Sequence, residues 1–179
     1  MLSVVAVASC SDPVEAPAEG AFRAYIAAIP GKACMRQGLV SFGDKVPSNA
    51  QSEGVPVKNG IGGAVVKCTI SGNGSSYNFN VSAGDAGSSV FLQGSITNGV
   101  GTIPPGSATF ASSASGDQVN VEACTIRTAP APGAGETLRI APGEMFAEFT
   151  CPSIHDQGDP MTTNCNVLNG LILLKNCTK

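Results

Sequence analysis

Cysteine is the residue type that offers this chain of 179 residues the most chemistry. One of the seven cysteines, Cys10, lies near the N-terminus. The other six lie in the body of the chain: Cys34, Cys68, Cys124, Cys151, Cys165 and Cys177. So many cysteines in a small chain predict disulfides, formed in an oxidising compartment. Six cysteines allow fifteen pairings, and the sequence alone does not choose among them.

The order of the cysteines and their hairpin neighbours favour one scheme. It contains three pairs: Cys34–Cys68, Cys124–Cys151 and Cys165–Cys177. Each disulfide would stabilise the fold by about 2–4 kcal/mol, by limiting the freedom of the unfolded chain. The strand alternation places Cys124 on the face opposite Val119 and Val121. A bulge between them is therefore expected.

An odd cysteine in a secreted protein needs its own explanation, and the neighbours of Cys10 supply one. The sequence Val7-Ala8-Ser9-Cys10 resembles the lipobox of bacterial lipoproteins. The resemblance implies a partial signal peptide at residues 1–9, followed by a lipidated Cys10 and a flexible tether over residues 10–20. Two or more acyl chains make a stable membrane anchor. The location implied is the bacterial cell envelope, preferably the outer membrane, facing the periplasm or the exterior.

The start of the chain allows two interpretations. Residues 1–8 are few for a signal peptide, and the first basic residue is Arg23. The true start would then lie upstream of Met1, or the N-terminus is a frayed segment with a free thiol. The odd cysteine and the polar, proline-containing tether favour the first interpretation. No apolar run approaches the length of about 18 residues that a membrane-spanning helix needs.

Catalysis by a nucleophile and a base depends on His155, because it is the single histidine. His155 beside Asp156 could serve as the base of a secreted hydrolase, but no G-x-S-x-G motif occurs, so a solvated loop histidine is favoured. One histidine and no C-x₂-C spacing argue against zinc. Asp156 and Asp159 lie close together on a predicted loop, and with Asp85 and Asp117 they are interpreted as turn residues rather than calcium ligands. We expect no catalysis, no metal and no cofactor.

The composition excludes some partners and classes. Charged residues make up 13% of the chain and the net charge is −3, against a usual charged share of about 25%. Without a basic cluster, we expect no nucleic-acid partner. The chain has 22 glycines and 12 prolines, a composition that could indicate a disordered protein. Since 42% of its residues are hydrophobic and its net charge is only −3, a folded domain is expected instead. With no tryptophan and 5% aromatic residues, an aliphatic core is expected.

The glycines and prolines fall between runs that are typical of β-strands. Asn73-Gly74 predicts a hairpin turn. After it, one face of the next run carries Tyr77, Phe79 and Val81, and the other carries Asn78, Asn80 and Ser82. Similar short runs continue to the C-terminus. They predict an all-β fold, an antiparallel β-sandwich of jelly-roll or Ig-like type, as a single domain over residues 21–179.

Two segments are less clear. The spacing of Phe22, Tyr25, Ile26 and Ile29 suits a helix, whereas a strand would place Phe22, Ala24, Ile26 and Ala28 on one face. The surrounding pattern favours the strand. Residues 43–60 are expected to form a long loop with room for a short edge strand.

The polar strand face of Asn78, Asn80 and Ser82 is a candidate surface for hydrogen bonds to a sugar. Sugar sites commonly also stack the ligand on an aromatic ring, and Tyr25 and Tyr77 are the only tyrosines. Both are interpreted as core residues with a hydrated hydroxyl. A ligand at this face is therefore not predicted from the sequence.

The body of the chain loosely resembles secreted lipoproteins of myxobacteria and their relatives. The resemblance is carried by residues 65–68 (VVKC), 149–152 (FTCP) and 170–177, which end in Asn-Cys. It implies a β-domain anchored in the envelope and brings no activity or functional residue. We therefore expect a lipoprotein with a binding, adhesive or structural role and a membrane, surface-ligand or protein partner. The alternatives are an assembly subunit of a surface fibre or shell, and a secreted hydrolase that uses His155.

Overall fold

The computed structural model describes residues 15–34, 37–112, 118–156 and 164–179. These residues form thirteen strands and no helix. The strands are β1 (Glu19–Ala28), β2 (Gly38–Phe42), β3 (Val57–Lys58), β4 (Val65–Asn73), β5 (Ser76–Gly84), β6 (Ser88–Thr97), β7 (Val100–Ile103), β8 (Ala108–Ser112), β9 (Gln118–Val121), β10 (Cys124–Arg127), β11 (Arg139–Ala141), β12 (Glu144–Asp156) and β13 (Cys165–Lys175).

All thirteen strands belong to one antiparallel sheet, which curls into a half-barrel. Strands β4, β5 and β6 form a meander at one end. The free edge of β6 pairs with β8 and β7 in succession, and these continue through β9 and β10 to β12. Strands β13 and β1 follow, and β2 and β3 pair with the far edge of β1. The all-β antiparallel prediction is confirmed, whereas the sandwich of jelly-roll or Ig-like type is not.

The interior of the curl holds the main hydrophobic core, as strand alternation requires. On β5, Tyr77, Phe79 and Val81 are buried while the residues between them are exposed, as predicted. Most residues of this core are aliphatic, as expected, and several phenylalanine rings are buried among them. The rings of Phe110 and Phe149 stack with their centroids 5.7 Å apart.

Residues 19–28 form strand β1, so the strand interpretation of this segment is confirmed. Its inward face carries Phe22, Ala24 and Ile26, all buried. The long loop after β2 is also confirmed. Its short edge strand is β3, which pairs with the start of β1.

Parts of strands β1, β12 and β13 are buried on both faces. A second hydrophobic cluster lies on the outer face, where β1, β13 and β12 contribute Ala21, Leu171, Leu173 and Phe146. Ala50 and Leu138 complete the cluster, and they come from the loops before β3 and before β11. The two loops therefore cover the outer face of the central strands.

Two of the three predicted disulfides are wrong. The structure joins Cys124–Cys151 as predicted, but its other pairs are Cys34–Cys165 and Cys68–Cys177. In place of the bulge expected before Cys124, the chain leaves β9 at Val121 and begins a separate strand, β10, at Cys124. The curl of the sheet explains the error, since it brings the residues around β4 close to the chain end after β13.

The outer edge of β4 is covered by other parts of the chain. Thr178 donates to the carbonyl of Cys68 (3.0 Å) and accepts from the amide of Ile70 (2.8 Å). The amide of Gly143 donates to the carbonyl of Ile70, and the side chain of Asn59 accepts from the amide of Val66. An exposed edge strand is a template for pairing with other chains, so this cover limits association at β4.

Gly170 leaves the space that the Phe149 ring occupies. The two residues are cross-strand partners, and a Cβ on Gly170 would lie 2.1 Å from a ring carbon of Phe149. We expect Gly170→Ala to lower the free energy of unfolding by about 1–3 kcal/mol through overpacking. Urea unfolding of the oxidised protein measures this loss.

The matched control is the same change in a Phe149→Ala background, where no ring opposes the new methyl group. There, Gly170→Ala should cost clearly less, which gives a coupling between the two positions. An equal cost in both backgrounds would show that the ring contact is not the cause.

Candidate binding sites

The polar face predicted from the sequence forms a groove on the outside of β4, β5 and β6. We call it the strand groove. Its two rows of cross-strand neighbours are Thr69–Asn80–Gln93 and Ser71–Asn78–Ser95. The volume is about 400 Å³. Asn78 and Asn80 therefore meet in one site, while Ser82 lies in the next row, between Lys67 and Phe91.

The lining of the strand groove is neutral and offers no aromatic face. Phe79 and Gly94 lie between the two rows, and Pro104 and Ser107 border the groove. The Phe79 side chain is buried in the core. Tyr77 is also buried, as predicted. The groove can exchange hydrogen bonds with a ligand, but it has no ring on which a ligand would stack.

A second concavity lies on the opposite part of the sheet, where the two covering loops meet. We call it the loop pocket, and its volume is about 430 Å³. Strand β1 contributes Arg23, Tyr25 and Ala27, which alternate with the buried residues of that strand. The other lining residues are Ser48, Asn49, Ala50, Gln51, Glu136, Glu148, Leu168, Asn169 and Leu171.

Tyr25 corrects the prediction that it is a core residue. Its side chain is 48% exposed, opposite Leu39 on β2. The strand interpretation of β1 already contained the signal, because alternation from Phe22 and Ala24 sends Tyr25 to the outer face. The loop pocket was missed because the loops that close it over the sheet carry no sequence pattern.

Hydrogen bonds hold the two loops to each other and to the sheet. The amide of Thr137 donates to the carbonyl of Ala50 (2.9 Å), and Gln51 Nε2 donates to the carbonyl of Ala134 (3.1 Å). Arg23 donates from β1 to the carbonyl of Ser48 (3.0 Å). The loop wall of the pocket is thus tied at both sides.

Two arginines add charged links. Arg127 on β10 donates to both oxygens of Glu136 (2.6 and 2.9 Å), and its Nε donates to Glu148 (2.7 Å). Arg139 on β11 pairs with Glu53 of the first loop and with Glu144 of β12. Such bidentate arginine–carboxylate pairs have a defined geometry and so restrict the loops.

Two of these carboxylates, Glu136 and Glu53, are held in the ionised form by a lowered pKa. Hydrogen bonds from Arg127 and then from the Ala131 amide lower the pKa of Glu136 to about 2. The hydrogen bond to Glu136 is in turn the main cause of the raised pKa of Arg127. Arg139 likewise lowers the pKa of Glu53. At neutral pH these carboxylates accept hydrogen bonds and do not donate them.

The prediction that His155 is a solvated loop residue is wrong, because it lies on strand β12 and its side chain is only 17% exposed. Its Nε2 lies 2.9 Å from an oxygen of Glu122, and its buried Nδ1 has no hydrogen-bond partner among the described residues. Among the described residues, neither ring nitrogen contacts a hydroxyl or thiol nucleophile. The side chain of Asp156 and the segment 157–163, with Asp159, lie outside the described part of the chain.

The other candidate ligands do not form a metal centre in the part of the chain that the structure describes. No group of three His, Cys, Asp or Glu side chains there could hold a metal ion. Asp85 accepts hydrogen bonds from the amides of Gly87 (2.6 Å) and Ser88 (2.9 Å), as a turn residue does. Asp117 and Cys10 lie outside the described residues.

The Arg127–Glu136 pair predicts a pH dependence of stability. A carboxyl whose folded pKa is depressed, here to about 2 from 4.5, stabilises the fold above its unfolded pKa. That contribution is lost as the pH falls through this interval. We expect the urea midpoint of the wild type to fall more steeply from about pH 5 to about pH 2 than that of Glu136→Gln.

The control for this measurement is Glu15→Gln, which removes an exposed carboxylate ahead of β1. Its profile should run parallel to that of the wild type. Parallel profiles for the wild type and Glu136→Gln would contradict the role given to this pair.

The chain matches no protein-family model, no curated protein and no solved structure. Among the described residues, no helix is long and apolar enough to cross a membrane.

Proposed function

We propose that this protein is a non-catalytic binding module of the bacterial cell envelope, with the loop pocket as its ligand site. The observation that carries the proposal is the construction of that pocket. Two loops that are distant in sequence meet over the sheet, and hydrogen bonds and ion pairs fix them there. Ligand sites commonly use such concave, largely pre-formed surfaces with a few polar groups.

The use of charge supports a binding role. The whole chain carries ten Lys and Arg residues. Arg127 and Arg139 fix the loops, and Arg23 lines the pocket. Covering the outer hydrophobic cluster explains why the loops pack on the sheet. It does not explain why the adjoining surface is concave and exposes Tyr25 and Leu168.

The envelope location is part of the proposal. Three disulfides are compatible with an oxidising compartment outside the cytoplasm. The lipobox resemblance at Cys10 supplies a membrane anchor, and residues 10–20 supply a tether. We place the module on the outer membrane, facing the periplasm or the exterior.

Two contacts favour binding over the alternative functions. The cover on the edge of β4 removes one surface by which an assembly subunit could pair with a second chain. The contact of His155 with Glu122 leaves Nε2 facing a carboxylate rather than a nucleophile. A binding module needs neither a free β4 edge nor a histidine beside a nucleophile, so both contacts are compatible with it.

The pocket is tested by screening the full, oxidised, isotope-labelled chain against a library of small neutral fragments. We expect shifted backbone amides in ¹H–¹⁵N correlation spectra to cluster at residues 48–51, 23–27 and 168–171, because these residues line the loop pocket. Tyr25→Ala should weaken the response. Leu39→Ala is the control, since Leu39 is equally exposed on the same face but does not line the pocket. Shifts confined to the strand groove, or no shifts, would contradict this site.

The anchor is tested separately, by expressing the chain with its native upstream coding region in a bacterium fed radiolabelled palmitate. We expect the label to enter the protein and the protein to sediment with membranes. Cys10→Ala should abolish both, because the thioether that carries the diacylglycerol cannot form. Labelling that persists in the variant would place the lipid elsewhere, and a wild type without label would refute the anchor.

A further inference from the structure

We infer that the loop pocket binds a saccharide, with one pyranose ring stacked on Tyr25. The inference rests on the proposed function and names the class of its ligand. Its basis is a pocket that combines an exposed aromatic ring with amide and carboxylate groups. The ring would contact the apolar C–H face of a sugar, and the polar groups would bond to its hydroxyls.

Tyr25 provides the stacking surface. Its ring is held on β1, a central strand of the sheet, and is 48% exposed. Ala27, the next residue on the same face, is small and also lines the pocket. The C–H face of a pyranose is apolar and packs on such a ring, while its hydroxyls stay in the plane of the sugar and point to the sides.

Amide side chains that line the same pocket can form hydrogen bonds with the sugar hydroxyls. Asn49 Oδ1 accepts from the amide of Gln51 (3.0 Å), and Gln51 Nε2 donates to Ala134 (3.1 Å). These contacts orient both side chains. An amide has one acceptor oxygen and two donor hydrogens, so these two bonds do not use the Asn49 amino group or the Gln51 carbonyl oxygen, and both residues line the pocket. Asn169 adds a third amide on the sheet side.

The charge of the pocket favours a neutral ligand. Glu136 and Glu148 line it as carboxylates, but both pair with Arg127, and Arg23 is the lining residue of opposite sign. A sugar hydroxyl can donate to the carboxylate oxygens without upsetting this balance. A strongly charged ligand would meet fixed groups of both signs at short range.

The size of the pocket also fits. Sites for small molecules occupy about 300–1,000 Å³, and about 430 Å³ lies at the lower end of that range. This volume suits one or two rings of a longer saccharide. The strand groove, at about 400 Å³, is similar in size and richer in hydroxyls, but its lining exposes no aromatic face. It is therefore the second choice for the same ligand.

The test titrates the full, oxidised chain, as Cys10→Ser to keep it free of lipid, with cellotetraose, maltotetraose and chitotetraose. Binding is followed by calorimetry and by amide shifts. We expect at least one of the three to bind with shifts at residues 23–27 and 48–51. Tyr25→Ala should weaken that saccharide by about tenfold or more, and Tyr25→Phe by less than about threefold, because the ring rather than its hydroxyl is the platform.

Leu39→Ala is the matched control and should leave the affinity within about twofold. Three outcomes would overturn the inference: no binding of any of the three at millimolar concentration, binding that Tyr25→Ala leaves unchanged, or shifts in the strand groove alone. If fragments shift the loop pocket while no saccharide does, the ligand class is wrong and the binding site stands. If neither does, both proposals fail.

Discussion

The burial of parts of β1, β13 and β12 on both faces is the constraint on which the rest of this structure depends. An antiparallel sheet can leave one face in water, and the meander of β4, β5 and β6 does so with alternating polar residues. The central strands instead carry apolar residues outward as well, among them Phe146 and Leu173. That outer surface has to be covered, and the loops before β3 and before β11 cover it.

A covering loop is held in place mainly by side-chain contacts, whereas a strand is held by backbone hydrogen bonds to its neighbours. Without a ladder of backbone hydrogen bonds, each loop needs specific contacts to remain in place. Arg127 and Arg139 supply them from β10 and β11, which lie beside the covered strands. The chain has only ten Lys and Arg residues, and two of them, Arg127 and Arg139, hold these loops. The loop pocket is the space that this arrangement leaves next to Tyr25.

The predictions from sequence were correct for features that depend on residues close together in the chain, such as the alternation of side chains along a strand. Alternation placed Tyr77, Phe79 and Val81 inside, and the inward residues of β1 were identified although their spacing also suits a helix. The curl of the sheet has no such pattern, because β6 changes partner from β8 to β7 along a single edge. Two disulfides were wrong for the same reason, since neighbours in sequence are not neighbours across the curl. The strand groove could be half predicted, through Asn78 and Asn80. The loop pocket could not, because contacts such as Thr137 to Ala50 join residues far apart in the chain.

The disulfide connectivity also constrains the order in which the chain can mature. Cys34 and Cys68 are separated from their partners by 131 and 109 residues, and those partners lie close to the C-terminus. A chain that enters an oxidising compartment with its N-terminus first presents Cys34 and Cys68 to the oxidant long before Cys165 and Cys177 arrive. The first pair available is thus the non-native one. For a chain exported in this way, the native pairs form either by oxidation after all four cysteines have arrived or by thiol exchange of the early disulfide.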